Sequence, residues 1–196
     1  KLSTEVTAVL VGSGVKDLAD ELAAYGADRV ILVDDPELKE YRTEPYAHAL
    51  ASVVEKYKPE ILLVGATAIG RDLGPRVSSS LTSGLTADCT QLEIGSYEDK
   101  KTGKLYEGLL YQIRPAFGGN IVATIVNPDH RPQMATVRSG VMQQAFYDGK
   151  AKNEVVYADV AKYVPTTDFV VKVLDRHVEA AKHNLKGAPI VVAGGY

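Results

Sequence analysis

The sequence predicts an α/β fold: a mostly parallel sheet with helices on both faces and an antiparallel extension. Three observations predict it. Short apolar runs alternate with helix-period stretches up to Leu81. One of those runs, residues 60–64, shows no polar alternation, as expected of a strand buried on both faces. Beyond residue 85, strand-like runs follow one another with turn signals between them, so the βα alternation gives way to consecutive strands.

The totals set the bounds. A chain of 196 residues can bury one proper core. Its 45% hydrophobic and 24% charged content is that of a globular protein. A net charge of −3 with no basic stripe excludes a nucleic-acid binder. No apolar run approaches the roughly 20 residues of a spanning helix, so no membrane partner is expected. The single Cys, Cys89, excludes an internal disulfide and a Cys-based metal or iron–sulfur site within these residues. It fits a reducing compartment, and a cytoplasmic location is expected.

Residues 6–11 form a first strand ending at Gly12-Ser13-Gly14. Val15, Leu18, Ala19, Leu22 and Ala23 follow at helical spacing, and Gly26 suits the C′ position after that helix. Residues 29–33 form the second strand. This βαβ unit leaves two readings open. A dinucleotide site would use Gly12 and Gly14, with Asp34 on the ribose. Against it, Asp17 stands where the third glycine belongs and would repel a pyrophosphate. The other reading is a tight strand-to-helix turn.

Tyr46, Ala49, Leu50, Val53, Val54 and Tyr57 form one apolar stripe, with Pro45 in the first helical turn and Lys58-Pro59 ending the helix. His48 falls on the polar side and is expected to be solvated. After the strand at 60–64, a helix is expected to begin near Arg71, since Pro75 suits only a first turn. Leu73, Val77, Ser80 and Leu81 would be its buried side. His130, His177 and His183 lack ligand spacing, so no metal site is expected.

Residues 86–94 read as one strand, with Thr86, Asp88 and Thr90 alternating against Ala87, Cys89 and Gln91. Thr102-Gly103 marks an exposed hairpin tip. Residues 105–112, 121–126 and 133–138 are further strands. Residues 143–153 are polar and read as a loop. Residues 154–158 and 169–174 are strand-like. Residues 188–195 look like a buried strand running into a glycine turn, as a nucleotide-binding unit often starts.

The stretch Ile113-Arg114-Pro115-Ala116-Phe117-Gly118-Gly119-Asn120 is unlike an ordinary strand connection. Pro115 cannot donate to a ladder. Gly118 and Gly119 let the backbone turn or come close to another body. Arg114 and Phe117 then flank a surface that something flat and electron-rich could occupy. A bulged connection with a surface Arg explains the same residues.

Gly65-Ala66-Thr67, Gly70-Arg71-Asp72-Leu73-Gly74-Pro75-Arg76, Gly84-Leu85-Thr86-Ala87-Asp88-Cys89-Thr90 and Arg131-Pro132-Gln133-Met134-Ala135-Thr136-Val137-Arg138 resemble the electron transfer flavoprotein α subunit. The likeness is dense over about residues 60–142. It implies a Rossmann-like (adenine-nucleotide α-hydrolase-like) sheet and a heterodimer with a β subunit of similar fold. It also implies an α/β domain over 1–187 and, at 188–196, the start of a C-terminal domain that holds its own FAD. The family often has Arg after that Gly-Gly turn; here it is Tyr196.

Residues 114–120 resemble the version found in electron-bifurcating members. There the loop faces a second FAD held mainly by the β subunit, which maps contacts onto Arg114, Pro115, Ala116, Phe117, Gly118, Gly119 and Asn120. The resemblance further implies NADH as donor, a dehydrogenase acting on acyl-CoA or a 2-hydroxy acid, and ferredoxin as low-potential acceptor. The chain would be an electron-transfer subunit of a flavin-dependent oxidoreductase complex, not catalytic alone. An ordinary, non-bifurcating electron transfer flavoprotein is the alternative. So is a nucleotide-binding enzyme built on Gly12–Gly14.

The physical argument stands apart from the resemblance. A reduced flavin carries negative charge near N1 and the C2 carbonyl, and a guanidinium cannot be titrated away. At about 4 Å and an effective dielectric near 20, one such charge is worth roughly 4 kcal/mol. For the glycine turn before Arg71, packing is favoured over anion binding. Arg71 and Arg76 are then expected in ion pairs, with Asp88 as a partner for one of them. Cys89 is expected in the core.

Overall fold

The computed structural model describes residues 5–116, 121–147, 154–178 and 188–195. Strands β1 (Thr7–Gly12), β2 (Arg29–Asp34) and β9 (Glu154–Tyr157) form a parallel sheet in the order β1-β2-β9. A second parallel sheet places β8 (Gln133–Val137) between β3 (Ile61–Gly65) and β4 (Leu85–Cys89). The antiparallel extension is β5 (Gln91–Glu98), β6 (Leu105–Ala116) and β7 (Ile121–Ile125), in chain order.

Alternation along β2 explains the first two layers. Val30 and Leu32 pack with Ala19, Ala27 and Leu22, on and just after helix α1 (Leu18–Ala24). Ile31 and Val33 point the other way, onto Ala49 and Val53 of helix α2 (Thr43–Tyr57) and onto Leu38 and Val164. Successive strand side chains face opposite sides, so one run of apolar residues serves two helices. The α2 stripe is wide enough to serve both parallel sheets. Its Ala47, Leu50 and Val54 meet Leu73 and Val77 of helix α3 (Ala68–Ser80) and Met134 of β8. Each fully buried aliphatic chain of this kind contributes about 1.5–3 kcal/mol.

Several expectations are corrected. Strand β3 is half-exposed, with Leu63 at 46%, because it is an edge strand of its sheet and nothing described covers that side. Helix α3 begins at Ala68, not near Arg71. Thr67 caps it by accepting from the Gly70 N–H at 3.1 Å. Pro75 therefore lies inside the helix, and Ser80 is exposed. Residues 86–94 are not one strand. At Asp88 the backbone takes φ 63, a region Asp tolerates, and the register of β4 on β8 shifts there. The chain then enters β5 in a different sheet.

Three further corrections concern the ends of elements. His48 keeps its side chain 37% exposed and also pairs through Nδ1 with Asp168, a partner the expectation of a solvated His did not include. Within residues 169–174, Phe169 and Val170 belong to a 3-10 turn (Thr166–Val170) that docks on α2, and no strand follows. Residues 188–195 make no strand and lie exposed, Ile190 at 81% and Val192 at 93%, because no described strand pairs with them. No helix among the described residues is long and apolar enough to cross a membrane.

Candidate functional site

The first βα turn answers the nucleotide question. The Asp34 carboxylate accepts from the Gly14 N–H at 2.7 Å and the Val15 N–H at 3.1 Å. Those are the amides a phosphate would need, and they are already taken by a chain carboxylate. The turn is closed by an acid, so the tight-turn reading holds and the nucleotide reading loses its binding groups.

The second parallel sheet ends differently. Its three strands all finish at one edge, where Gly65, Val137 and Cys89 lie next to one another in register. Open α/β sheets bind ligands outside that carboxyl edge. Here Ala66 N–H donates to Val137 O at 2.7 Å, and Arg138 N–H donates to Cys89 O at 2.9 Å, extending the ladder past the strands. The Asp88 N–H donates to Thr136 Oγ1 at 2.8 Å and fixes the turned residue. Helix α3 starts beside this edge because Gly70 has no side chain. A Cβ there would lie 1.8 Å from Gly65 O. The glycine is a packing device, as expected.

Three guanidinium groups gather round one carboxylate. Arg71 Nη2 donates to Asp88 Oδ1 at 2.8 Å, while its Nε donates to Ala66 O at 3.0 Å. Arg138 donates to Asp88 Oδ2 from Nη2 at 2.6 Å and from Nε at 3.1 Å. Arg114, from β6, makes no hydrogen bond or ion pair among the described residues, but its charge acts on both Asp88 and Cys89. Three positive groups against one negative leave two net positive charges at this edge. The Arg138 hydrogen bonds, helped by the charges of Arg138, Arg71 and Arg114, hold the Asp88 carboxyl below its usual value. Burial pushes the Cys89 thiol up, so it is a core residue as expected.

That depression fixes a sign. A carboxyl whose folded pKa is lowered adds stability above its unfolded value of about 3.9, and loses it as pH falls through the lower folded value. Asp88→Asn is therefore expected to flatten the acid limb of a melting-temperature profile below about pH 4. An unchanged acid limb would show that the three guanidinium groups do not act on this carboxylate.

The structure places the sequence-predicted residues as follows. Arg114, Pro115 and Ala116 are the last residues of β6, longer than the expected 105–112, and pair with Ala123, Val122 and Ile121 of β7. The β5 side of β6 ends at Ile113, which pairs with Gln91. Pro115 is thus tolerated where only one neighbour strand remains. Phe117, Gly118, Gly119 and Asn120 lie outside the described residues. Arg76 does not join the cluster; it pairs bidentately with Glu44 on α2 at 2.9 and 2.8 Å. Arg138 was not singled out for this role, and no spacing in the sequence marks it, because it meets Asp88 across fifty positions.

The surroundings fit an electron-rich group. Arg114 is half-buried and without a hydrogen-bond acceptor among the described residues. Gln112, two positions earlier on the same strand, carries a buried Nε2 with no acceptor. Fold and site thus define a class: an α/β domain that holds an uncommitted guanidinium beside a cationic strand edge. A family profile described as electron transfer flavoprotein domain matches residues 1–163. The chain belongs to the electron transfer flavoprotein family.

Its relatives are of several kinds. The electron transfer flavoprotein subunit alpha of Thermoanaerobacterium thermosaccharolyticum is 46% identical over 196 residues, covering 100% of this chain and 56% of its own length. The acryloyl-CoA reductase electron transfer subunit beta of Anaerotignum propionicum is 41% identical over 98% of this chain and 56% of its own. The lactate dehydrogenase (NAD(+),ferredoxin) subunit LctC of Acetobacterium woodii is 45% identical over 80% of this chain and 35% of its own. The chain spans about half the length of the curated relatives it matches.

Proposed function

We propose that this chain is the α-subunit part of a bifurcating electron transfer flavoprotein, in which Arg114 faces an FAD held mainly by the β subunit. The observation that carries the reading is a half-buried guanidinium with no hydrogen bond among the described residues, whose charge acts on an Asp88 already engaged by two other arginines. When bound, FAD supplies the redox chemistry, one or two electrons at a time. This chain positions and tunes. Arg114 contributes a permanent positive charge. The β6–β7 pairing fixes where that charge stands. Pro115 stiffens the strand end, and Ala116 is small enough for close approach. The family likeness also assigns contacts with the same ring to Phe117, Gly118, Gly119 and Asn120.

The names of two relatives support the wider assembly. One is named a subunit of a lactate dehydrogenase (NAD(+),ferredoxin), and another the electron transfer subunit beta of an acryloyl-CoA reductase. We extend this to NADH as donor, ferredoxin as low-potential acceptor, and a flavin-dependent dehydrogenase for an acyl-CoA or 2-hydroxy acid as the other partner. Residues 1–187 are the α/β domain, and 188–196 open a domain that holds a second FAD. A cytoplasmic location agrees with the buried free thiol of Cys89. The test is cofactor extraction and an absorbance spectrum of the full-length heterodimer. Two FAD per heterodimer are expected. One FAD with one AMP would make it an ordinary electron transfer flavoprotein, and no flavin would end the reading.

A further inference from the structure

The two parallel sheets finish differently at their carboxyl edges. At the first, Asp34 takes the Gly14 and Val15 amides, so the chain's own carboxylate closes the turn. At the second, the carboxylate meets arginines instead. Arg71 bonds Asp88 Oδ1 at 2.8 Å, and Arg138 bonds Oδ2 at 2.6 and 3.1 Å. The Asp88 side chain is only 14% exposed, while those of Arg71 and Arg138 are 54% and 44% exposed. The acid lies beneath, and the two cations stand over it. Each guanidinium is held at two points. Arg71 also donates from Nε to Ala66 O at 3.0 Å, and Arg138 donates from both Nε and Nη2 to one oxygen. Asp88 is itself fixed, its N–H donating to Thr136 Oγ1 at 2.8 Å. Side chains tied in this way have already lost much of their rotamer freedom, so a ligand need not order them.

A guanidinium carries five N–H donors, and each of these spends two. The other three on each arginine have no acceptor among the described residues. Because both groups bond one carboxylate, they stand within about 8 Å of each other. A tetrahedral oxyanion with a hydrogen bond of about 2.8 Å on either side spans that interval. We infer that Arg71 and Arg138 form an oxyanion clamp, aligned by Asp88, that binds one phosphate group at the carboxyl edge of the β3-β8-β4 sheet. Open α/β sheets hold ligands at this edge. Two guanidinium groups against one carboxylate leave positive charge over, and a phosphate dianion takes up more of it than a carboxylate does. The phosphate is either the free ion or the terminal group of a nucleotide. The clamp uses neither Arg114 nor flavin, so it stands or falls apart from the function proposed above.

Titration calorimetry of the full FAD-loaded heterodimer with inorganic phosphate, and separately with adenosine diphosphate, tests the clamp. At least one is expected to bind with a dissociation constant of about 1 mM or below. Adenosine diphosphate binding about tenfold tighter or more identifies a nucleotide as the source, and a smaller difference identifies the free ion. Arg138→Gln and Arg71→Gln are each expected to weaken binding about tenfold or more. Arg76→Gln, on the same helix as Arg71 but paired with Glu44, is expected to leave it unchanged. Asp88→Asn separates a clamp from a diffuse positive patch. Removing a negative charge tightens binding to a patch, whereas the clamp loses its aligning group and is expected to bind about threefold weaker or worse. Where Arg138→Gln does not assemble, Arg71→Gln, which leaves both Arg138 bonds in place, decides. No binding by the unsubstituted heterodimer, binding indifferent to both arginines, an equal loss in Arg76→Gln, or unchanged or tighter binding in Asp88→Asn would overturn the clamp.

Discussion

Arg114→Ala, made in the full heterodimer, is expected to leave assembly intact, lower the potential of the flavin proposed to lie against it and abolish coupled reduction of a low-potential acceptor. The size follows from one charge. At about 4 Å the interaction is worth about 1 kcal/mol in water and about 4 kcal/mol at an effective dielectric of 20. Arg114 is half-buried, so the larger figure is an upper bound. For a one-electron couple, about 4 kcal/mol is roughly 170 mV, at about 59 mV per tenfold change. A shift of that order changes which acceptor an electron can reach. The β6–β7 ladder does not depend on the side chain at 114, because its bonds run between backbones. A spectroelectrochemical titration reads the potential, and ferredoxin reduction reads the coupling. Normal coupling with an unmoved potential would end the assignment.

Gly70→Ala is expected to be the most damaging single methyl group at this edge. The added Cβ would stand 1.8 Å from Gly65 O and 3.0 Å from Gly65 C, both backbone atoms. Neither can yield cheaply. Gly65 is in register with Val137, and Ala66 N–H is bonded to Val137 O at 2.7 Å. Helix α3 must therefore back away from β3, which loosens the Thr67 cap and the reach of Arg71 to Ala66 O and Asp88. We expect a loss of about 3 kcal/mol or more, or roughly 6–12 °C in melting temperature for a chain of this size. Gly103→Ala is the control. It has open space around it but a φ of 69, and so loses only about 1 kcal/mol to backbone strain. Equal melting of the two variants would show that α3 and β3 are not packed as described.

Much of the fold was legible because it is written locally. The β2 run and the α2 stripe each carry a period that matches one secondary structure, and the buried residues follow it. The errors have a common origin. Residues 60–64 read as doubly buried because the run Ile61-Leu62-Leu63-Val64 has no polar alternation, but burial depends on what lies opposite, and β3 sits at a sheet edge. Residues 86–94 read as one strand because nothing in their pattern reports that Asp88 turns into the left-handed region. Pro75 suits a first turn and so points to a start near Arg71, but the Thr67 cap, through its bond from the Gly70 N–H, starts the helix at Ala68, three residues earlier.

The candidate site divides the same way. By itself the sequence determined the elements, the family likeness and the unusual stretch around Arg114, since each is a property of neighbouring residues. Tertiary structure alone decided that Asp34 closes the first turn and that Asp88 takes both Arg71 and Arg138 while Arg114 stands apart. Those pairings join residues on different strands, turns and helix α3, up to fifty positions distant. Strand order and register bring them together, and no local period encodes either.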